Sequence, residues 1–383
     1  MKINPFIYHH GRTCNKCILD DTIADIVFDV DGVCNFCKLH HSLELKYPLD
    51  NDDKLNKLIL KIKKDGKRKK YDCIVGVSGG RDSTYTLLKS IELGLRPLAV
   101  HFDNGWNSKT AVENIKRITD KLGVDLYTYV ANWEEFKDLQ RAFLFASVPD
   151  AEVPTDWVIF SVLFQEAAKR NIKHIIHGHS FRTEGTTPIT WTYMDARYII
   201  DVHNRFGNKN KLSFPNMGLI KYLYYSFIKG IKQVRILYHI PYNEKEVLSK
   251  LENELGWINY GEKHHESQYT SFFQSYILTR KFNIDKRKLH YSAKIRNGQI
   301  SRQDAKEIVS KDPYKGGTEL FAYCLKKLDL SEKEFEDIMI SKIKSFRDYN
   351  SYYDLIKTMK YPIKWGNKLK IIPDTVYKKF FNS

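Results

Sequence analysis

The chain has 383 residues, room for two or three domains and a sizeable core, and its ordinary apolar content with 24 Tyr and 21 Phe excludes global disorder. Its formal charge of +16 attracts polyanions such as RNA, a membrane surface, ATP or a sugar nucleotide. The first residues lack the apolar region of a signal peptide, and no uncharged apolar stretch of about 18 residues exists, since Leu219 to Ile240 is broken by Lys221, Lys229, Lys232 and Arg235. A cytoplasmic protein is expected, with cysteines reduced unless they hold metal.

Residues 1–50 read as a separate small module. Cys14-x2-Cys17 and Cys34-x2-Cys37 are 16 residues apart, the spacing of a tetrahedral four-cysteine zinc site. Four thiolates leave no open position, so the expected role is structural; an iron–sulfur cluster is the alternative. The basic run Lys61 to Lys70 follows, as a solvated linker, an exposed helix or an RNA contact.

A regular alternation then begins. Asp72 to Val77 reads as a buried strand and Thr84 to Leu93 as a helix stopped by Gly94. Pro97 to Phe102 is a second strand. Ser108 caps a helix whose Val112, Ile115, Ile118 and Leu122 share one side, with Gly123 as its stop. Strands at Val124 to Val130 and Lys173 to His177 enclose helices near 134–146 and 156–170. Strands alternating with helices imply a parallel sheet. Beyond about residue 240 the pattern is helical, with starts at Asn243/Glu246 and Ser331/Glu334.

Ser78-Gly79-Gly80-Arg81-Asp82-Ser83 lies where the first strand gives way to a helix. Two glycines permit a sharp turn and close approach to a ligand. The amides that follow, with the positive end of the helix dipole, then face an anion. Ser78 and Ser83 can donate to phosphate oxygens, and Asp82 can hold magnesium. The loop matches neither the Walker A ending nor the dinucleotide glycine pattern.

Later segments add candidates. His177 to Gly185 follows the last strand, with Glu184 as a magnesium ligand or proton acceptor and Arg182 as a phosphate partner; Trp191, Tyr193, Asp195 and Arg197 extend it as a sugar or base platform. Lys263-His264-His265-Glu266 lacks a metal-binding spacing and reads as an anion contact, a general base or plain structure. Asp285-Lys286-Arg287 and Ser301-Arg302 offer cations to a leaving pyrophosphate, or ordinary solvated charge. Cys73 reads as buried core and Cys324 stands alone, so no second cysteine pair accompanies the N-terminal four.

The SGGxDS loop resembles that of the PP-loop ATP pyrophosphatases. The resemblance narrows to the N-acetyl sugar amidotransferases of surface-polysaccharide and nonulosonic-acid biosynthesis. It is carried by the two cysteine knuckles, SGGRDS, HFDNGW at 101–106, SFRTEG at 180–185, and the stretches 256–278 and 281–302. It implies an α/β fold: a Rossmann-like, parallel-sheet PP-loop domain of the adenine nucleotide alpha hydrolase kind at 51–235. A zinc-knuckle module at 1–50 would precede it, and a mainly helical region at 236–383 would complete the substrate site. It further implies ATP bound by Ser78, Gly79, Gly80, Arg81, Asp82, Ser83, Thr84 and Asp103, with Asp82, Glu184, Lys263 and Arg287 as the catalytic set, and Mg2+ and Zn2+ as cofactors.

The activity so implied turns a sugar acetamido group into an acetamidino group, in O-antigen (lipopolysaccharide) or pseudaminic/legionaminic acid biosynthesis. ATP adenylylates the carbonyl oxygen, ammonia attacks the carbon, and AMP leaves. The substrate would be a nucleotide-linked or acidic N-acetyl sugar. No glutaminase is evident in the sequence, so the ammonia is expected from a separate glutaminase subunit, with a cyclase-like partner in addition. The rivals are a PP-loop tRNA-modifying enzyme, favoured by basicity and the knuckles, and a nucleotide-binding scaffold without turnover.

Overall fold

A computed structural model describes residues 5–7, 11–49, 52–208, 212–261 and 266–368. The chain opens on the cysteine knuckles, then α1 (Asn35–Lys46) and α2 (Asp52–Gly66). The alternating region follows as β1 (Cys73–Gly76), α3 (Arg81–Glu92), β2 (Pro97–Asp103), α4 (Lys109–Leu122), β3 (Leu126–Val130), α5 (Trp133–Phe145), α6 (Val153–Lys169) and β4 (His174–Ile176). After α7 (Phe181–Glu184), α8 (Ala196–Phe206) and α9 (Leu219–Leu223), the short strand β5 (Lys232–Val234) closes the sheet. The remainder is helical: α10 (Glu244–Leu255), α11 (Gln268–Phe272), α12 (Leu278–Lys281), α13 (Arg287–Arg296), α14 (Arg302–Ser310), α15 (Gly317–Leu328), α16 (Glu332–Ile340), α17 (Tyr353–Thr358) and α18 (Lys360–Lys368).

The five strands are ordered β3-β2-β1-β4-β5 and every pairing is parallel. Successive side chains of a strand point to opposite faces, and the core divides accordingly. Ile74, Leu98, Val100 and Ile175 face a layer holding Phe136, Leu139 and Phe143 of α5 and Val158 and Val162 of α6. Cys73, Val75, Ala99 and Ile176 face the other way, onto Ile59 and Ile62 of α2, Leu87 and Leu88 of α3, Ile115 of α4 and Val247 and Leu251 of α10. The protein is therefore an α/β sandwich of three layers, with a buried central strand β1.

Local chemistry accounts for the element ends. Ser108 Oγ accepts from the Ala111 amide at 3.1 Å, and Gly123 ends α4 in the left-handed region. Ser331 and Glu334 form a complete capping box before α16. Asn243 accepts from the amides of Lys245 and Glu246 ahead of α10. Two elements differ from the sequence reading. α3 begins at Arg81, inside the SGGRDS motif rather than after it, because Gly80 serves as its N-cap. β5 arises within the stretch 219–240, which has no strand alternation. Only pairing with β4 stabilises three such residues as a strand, with Ile175 opposite Gln233.

Candidate active site

Gly79 turns the chain at φ +77°, and a Cβ there would lie 2.3 Å from the Ala111 carbonyl oxygen. Only glycine fits both restrictions. Inside the turn, the Ser78 amide donates to Ser83 Oγ (3.2 Å), the Gly80 amide donates to Ser78 Oγ (3.3 Å), and Ser83 Oγ donates to the Gly80 carbonyl (3.0 Å). The two hydroxyls are 3.2 Å apart. This is a closed ring of polar groups at the carboxyl edge of a parallel sheet and the N-terminus of α3, where an anion is favoured. Gly178, just past β4, packs so closely that a Cβ would come 3.1 Å from the Asp82 carbonyl.

The loop opens into a cavity of about 250 Å³, whose lining includes Ser78, Gly80, Arg81, Asp82, Ser83, Glu184, Glu244, Trp257, Tyr260 and Glu266. Half of this lining comes from far along the chain. Trp257 donates its indole N–H to the Gly79 carbonyl at 2.9 Å. The Tyr242 hydroxyl donates to Asp82 Oδ1, and the Tyr260 hydroxyl donates to Glu266 Oε2 at 3.2 Å. Burial first, and then the carboxylate beside each, holds both phenols protonated as donors. Glu266 is held in place by its neighbours: the Ser108 amide donates to the Glu266 carbonyl (2.8 Å), and the Gln268 amide to the Trp106 carbonyl (3.0 Å).

Glu244 bridges two cations, the Arg81 guanidinium and the Lys294 ammonium. Burial raises its carboxyl pKa, but Arg81 and Lys294 outweigh burial and hold it below the usual range. Beyond this bridge lies a second cavity of about 240 Å³, with Arg81 and Glu244 in the shared wall and Arg287, His290, Lys294 and Gln299 on the far side.

The four N-terminal cysteines are buried, and their Sγ atoms lie within 4.8 Å of one another. Cys14 and Cys37 are 3.9 Å apart, Cys17 and Cys34 3.8 Å. A tetrahedron with metal–sulfur bonds of about 2.3 Å has edges of roughly 3.8 Å, so the group fits one four-coordinate ion. Further N–H donors suit thiolates: the Lys16 and Cys34 amides reach Cys14 Sγ (3.4 and 3.3 Å), and Arg296 reaches Cys37 Sγ (3.2 Å) and Cys17 Sγ (3.5 Å). The module is tied to the C-terminal helices. Arg302 donates to the carbonyls of Cys17 (3.0 Å) and Cys14 (2.8 Å), and Lys288 to Asp20 at 2.5 Å.

The residues expected from the sequence fall in several places. Ser78, Gly80, Arg81, Asp82, Ser83 and Glu184 line the first cavity; Gly79 shapes the loop beneath it; Thr84 is buried in α3. Asp103 ends β2, accepting from the Gly105 amide (2.9 Å) and Asn107 (3.2 Å), and does not line the cavity. Glu184 pairs with His179. Arg287 faces the second cavity while its guanidinium holds Asp285 (2.7 Å) and the carbonyls of Val309 (3.0 Å) and Lys311 (2.8 Å) at the end of α14. Lys263, with His264 and His265, lies outside the described residues.

Several secondary expectations give way to packing. Arg182 donates to the carbonyls of Tyr238 and Tyr47, both at 2.7 Å, so its charge holds backbone rather than phosphate. Arg302 serves the cysteine module. Tyr193 is buried and stacks on Phe346 at 4.2 Å, and Asp195 caps α8 through the Tyr198 amide (2.7 Å), so this stretch is core, not a sugar platform. Cys73 and Cys324 are both buried and outside both cavities, and burial pushes the Cys324 thiol up to about 12. Tyr242, Glu244, Trp257, Tyr260 and Lys294 were not singled out, since nothing local distinguishes them. Glu266 was legible only as part of the His-His-Glu stretch.

Residues 266–361 match the model of the family described as LPS biosynthesis protein WbpG-like, C-terminal domain. An uncharacterized protein of Methanocaldococcus jannaschii, MJ1599, is 40% identical over 119 residues, which is 30% of this chain and 40% of that protein. The chain thus spans about two fifths of the curated relative it matches. Among solved structures, a U34-tRNA thiolase, NcsA, from Methanococcus maripaludis with its [4Fe-4S] cluster aligns over 81% of this chain and 92% of that one, at 15% identity and a TM-score of 0.31. An NMN synthetase from Francisella tularensis aligns over 76% and 97%, at 13% identity and a TM-score of 0.30. Similarities that low carry no argument about chemistry. No helix among the described residues is long and apolar enough to cross a membrane. Glu266, Arg287 and Lys294 all lie in the region, 266–361, that matches this family's C-terminal domain.

Proposed function

We propose that the protein is an ATP-dependent amidotransferase that converts the acetamido group of a sugar to an acetamidino group, releasing AMP and pyrophosphate. One observation carries the reading. A glycine turn suited to an anion, at the carboxyl edge of the sheet, opens into a cavity of about 250 Å³, and Glu266, from the region that matches an LPS-biosynthesis family's C-terminal domain, lines its wall.

An amide carbonyl is a poor electrophile and its oxygen a poor leaving group. Attack of that oxygen on the α-phosphorus of ATP forms an oxygen–phosphorus bond and expels pyrophosphate. Ammonia then adds to the carbon, AMP departs with the oxygen, and loss of a proton leaves the amidine. In this scheme the loop amides, Ser78, Ser83 and Arg81 hold the triphosphate and stabilise charge on the leaving group. Asp82 would hold Mg2+, whose chemistry when bound is to neutralise phosphate charge. Glu184, paired with His179, would accept the proton lost on amidine formation. Lys263 and Arg287 would serve as cations toward the anionic reactants. The four cysteines would hold Zn2+ in a structural role. Ammonia would come from a separate glutaminase subunit.

A tRNA-modifying role is the second reading. The basic cluster that would serve it, Lys63, Lys64, Lys67, Arg68 and Arg96, surrounds the beginning of β1 beside Asp72, at the sheet edge opposite the loop. RNA held there is not presented to the loop. The test incubates the full chain with ATP, isotopically labelled ammonium and N-acetyl sugars. Sugar-dependent AMP release with label in the sugar supports the proposal. AMP release that depends on tRNA and not on sugar would replace it with the second reading.

A further inference from the structure

The helix that begins as α9 at Leu219 continues through a π-helical turn to Ile228. One side of it is fixed by aromatic packing, with the Tyr222 ring 5.7 Å from those of Phe160 and Phe164 on α6. The other side is bare. Ile220, Leu223, Tyr224, Phe227 and Ile228 follow the i, i+3, i+4, i+7, i+8 order of a helical stripe. All five are exposed, Ile220 by 85% and Ile228 by 74%. A contiguous apolar stripe left in the open marks a contact with something outside the chain.

Charge identifies that contact. Lys221, Lys229 and Lys232 are exposed beside the stripe, and no Asp or Glu occurs between Asp201 and Glu244. Lys221 lies over the Tyr225 ring at 5.7 Å and Lys229 over the Tyr224 ring at 6.0 Å, so the apolar stems of both lysines run along the helix. The helix leads through Gly230 into Lys232, the start of β5. Because every strand pairing is parallel, this exit lies at the sheet edge that also carries the basic cluster of Lys63, Lys64, Lys67 and Arg68. Nucleic acid would satisfy these cations but gives aliphatic side chains nothing to enter, since its contacts are phosphates and base stacking. The core of a protein–protein interface is depleted in lysine. An anionic bilayer surface accommodates both, with acyl chains for the stripe, headgroups for the lysines and tyrosine at the boundary.

We infer that the helix over 219–228 docks the protein on an anionic lipid bilayer, with Ile220, Leu223, Phe227 and Ile228 among the acyl chains and the flanking lysines against the headgroups. Five residues of α9 and five of the π-helical turn make a helix of about 15 Å, half of what a crossing needs, so it lies in the plane of the interface. The bilayer would meet the outer side of α6, which packs on one face of the sheet. The first cavity is lined from α3 and α10, on the other face, so docking leaves it open to solvent. The inference is independent of the reaction proposed above.

The test floats the full chain, without nucleotide or sugar, on vesicles of phosphatidylcholine alone and of phosphatidylcholine with phosphatidylglycerol. The chain rises with the anionic vesicles and binds the neutral ones at least about tenfold more weakly. A formal charge of +16 would by itself draw the chain to anionic lipid, so the deciding variant alters no charge. Phe227→Ser with Ile228→Ser weakens binding to the anionic vesicles by at least about tenfold. Lys221→Gln and Lys229→Gln each weaken it about fivefold. Melting temperature reports whether each variant folds; if the first serine pair does not, Ile220→Ser with Leu223→Ser, two turns earlier in the stripe, takes its place. The inference is overturned if the chain stays in the buffer, if neutral vesicles bind it equally well, or if a folded serine pair binds as wild type does. It is also overturned if the lysine variants change nothing, or if the serine pair dissolves a dimer of the chain that does not bind vesicles, which would make the stripe an interface between copies.

Discussion

The hydroxyl of Tyr242 donates to Asp82 Oδ1, joining a residue two positions before α10 to the first turn of α3 across 160 positions of sequence. The same carboxylate oxygen receives Arg81 Nε at 3.4 Å. Asp82 is thus oriented by a donor that burial keeps protonated. Tyr242→Phe should leave the fold intact and lower the rate of AMP formation by roughly tenfold, the worth of one hydrogen bond to a charged group. Asp82→Ala should fold and lose AMP formation altogether. Wild-type turnover in the alanine variant, measured by AMP release, removes Asp82 from the mechanism.

Gly79→Ala tests the grip of the loop. The new methyl would meet the Ala111 carbonyl at 2.3 Å in a backbone conformation that L side chains rarely adopt. The expected outcome is a displaced loop, a loss of stability on the order of 1–3 kcal/mol, and no detectable binding of a non-hydrolysable ATP analogue. An alanine variant that binds the analogue as wild type does would show that phosphate sits elsewhere.

The cysteine module should hold about one metal ion per chain. Its removal should be felt at a distance, because Arg296 and Arg302 tie the cysteines to α13 and α14. Cys37→Ser is expected to release the ion and to increase proteolytic cleavage near residues 287–310. Metal analysis and limited proteolysis check this. Full activity in metal-free protein would reduce the module to an appendage.

Asp150 supplies a pH test. It is buried, its Oδ1 accepts from the Tyr198 hydroxyl at 2.8 Å, and its Oδ2 has no partner among the described residues. Burial pushes its pKa up to about 7. A carboxyl raised in the folded state contributes stability below its unfolded pKa near 4, and that contribution is lost as pH rises toward 7. Asp150→Asn keeps the acceptor for Tyr198 and cannot ionise. Its melting temperature relative to wild type should therefore rise between pH 5 and pH 8, by the equivalent of about 2 kcal/mol. A difference that does not change with pH would mean that Asp150 is not the group titrating.

Much of the architecture was legible because it is local. The apolar runs at 72–77 and 97–102, the Ser108 cap and the Gly123 stop each encode an element within a few residues, and their alternation implies a parallel sheet. The turn at 78–83 was legible for the same reason: two glycines and two serines at fixed spacing suffice to bend the backbone and aim its amides. The cysteine quartet was legible from spacing alone, since each thiol pair spans a single turn.

What completes the site was not. Tyr242, Glu244, Trp257, Tyr260 and Lys294 are ordinary residues in ordinary helical or loop contexts, and each acquires its role only from a partner more than 100 positions away, save Tyr260 with Glu266 and Lys294 with Glu244. Likewise, the three residues of β5 have no strand character until β4 offers its edge. Arg182, Arg302 and Tyr193 carry the chemistry of a binding site in sequence, yet burial commits them to backbone carbonyls and a stacked ring. A sequence specifies which groups the chain carries and the local turns that present them. Folding decides which charges meet, because a buried polar group must find its partner wherever the chain brings one.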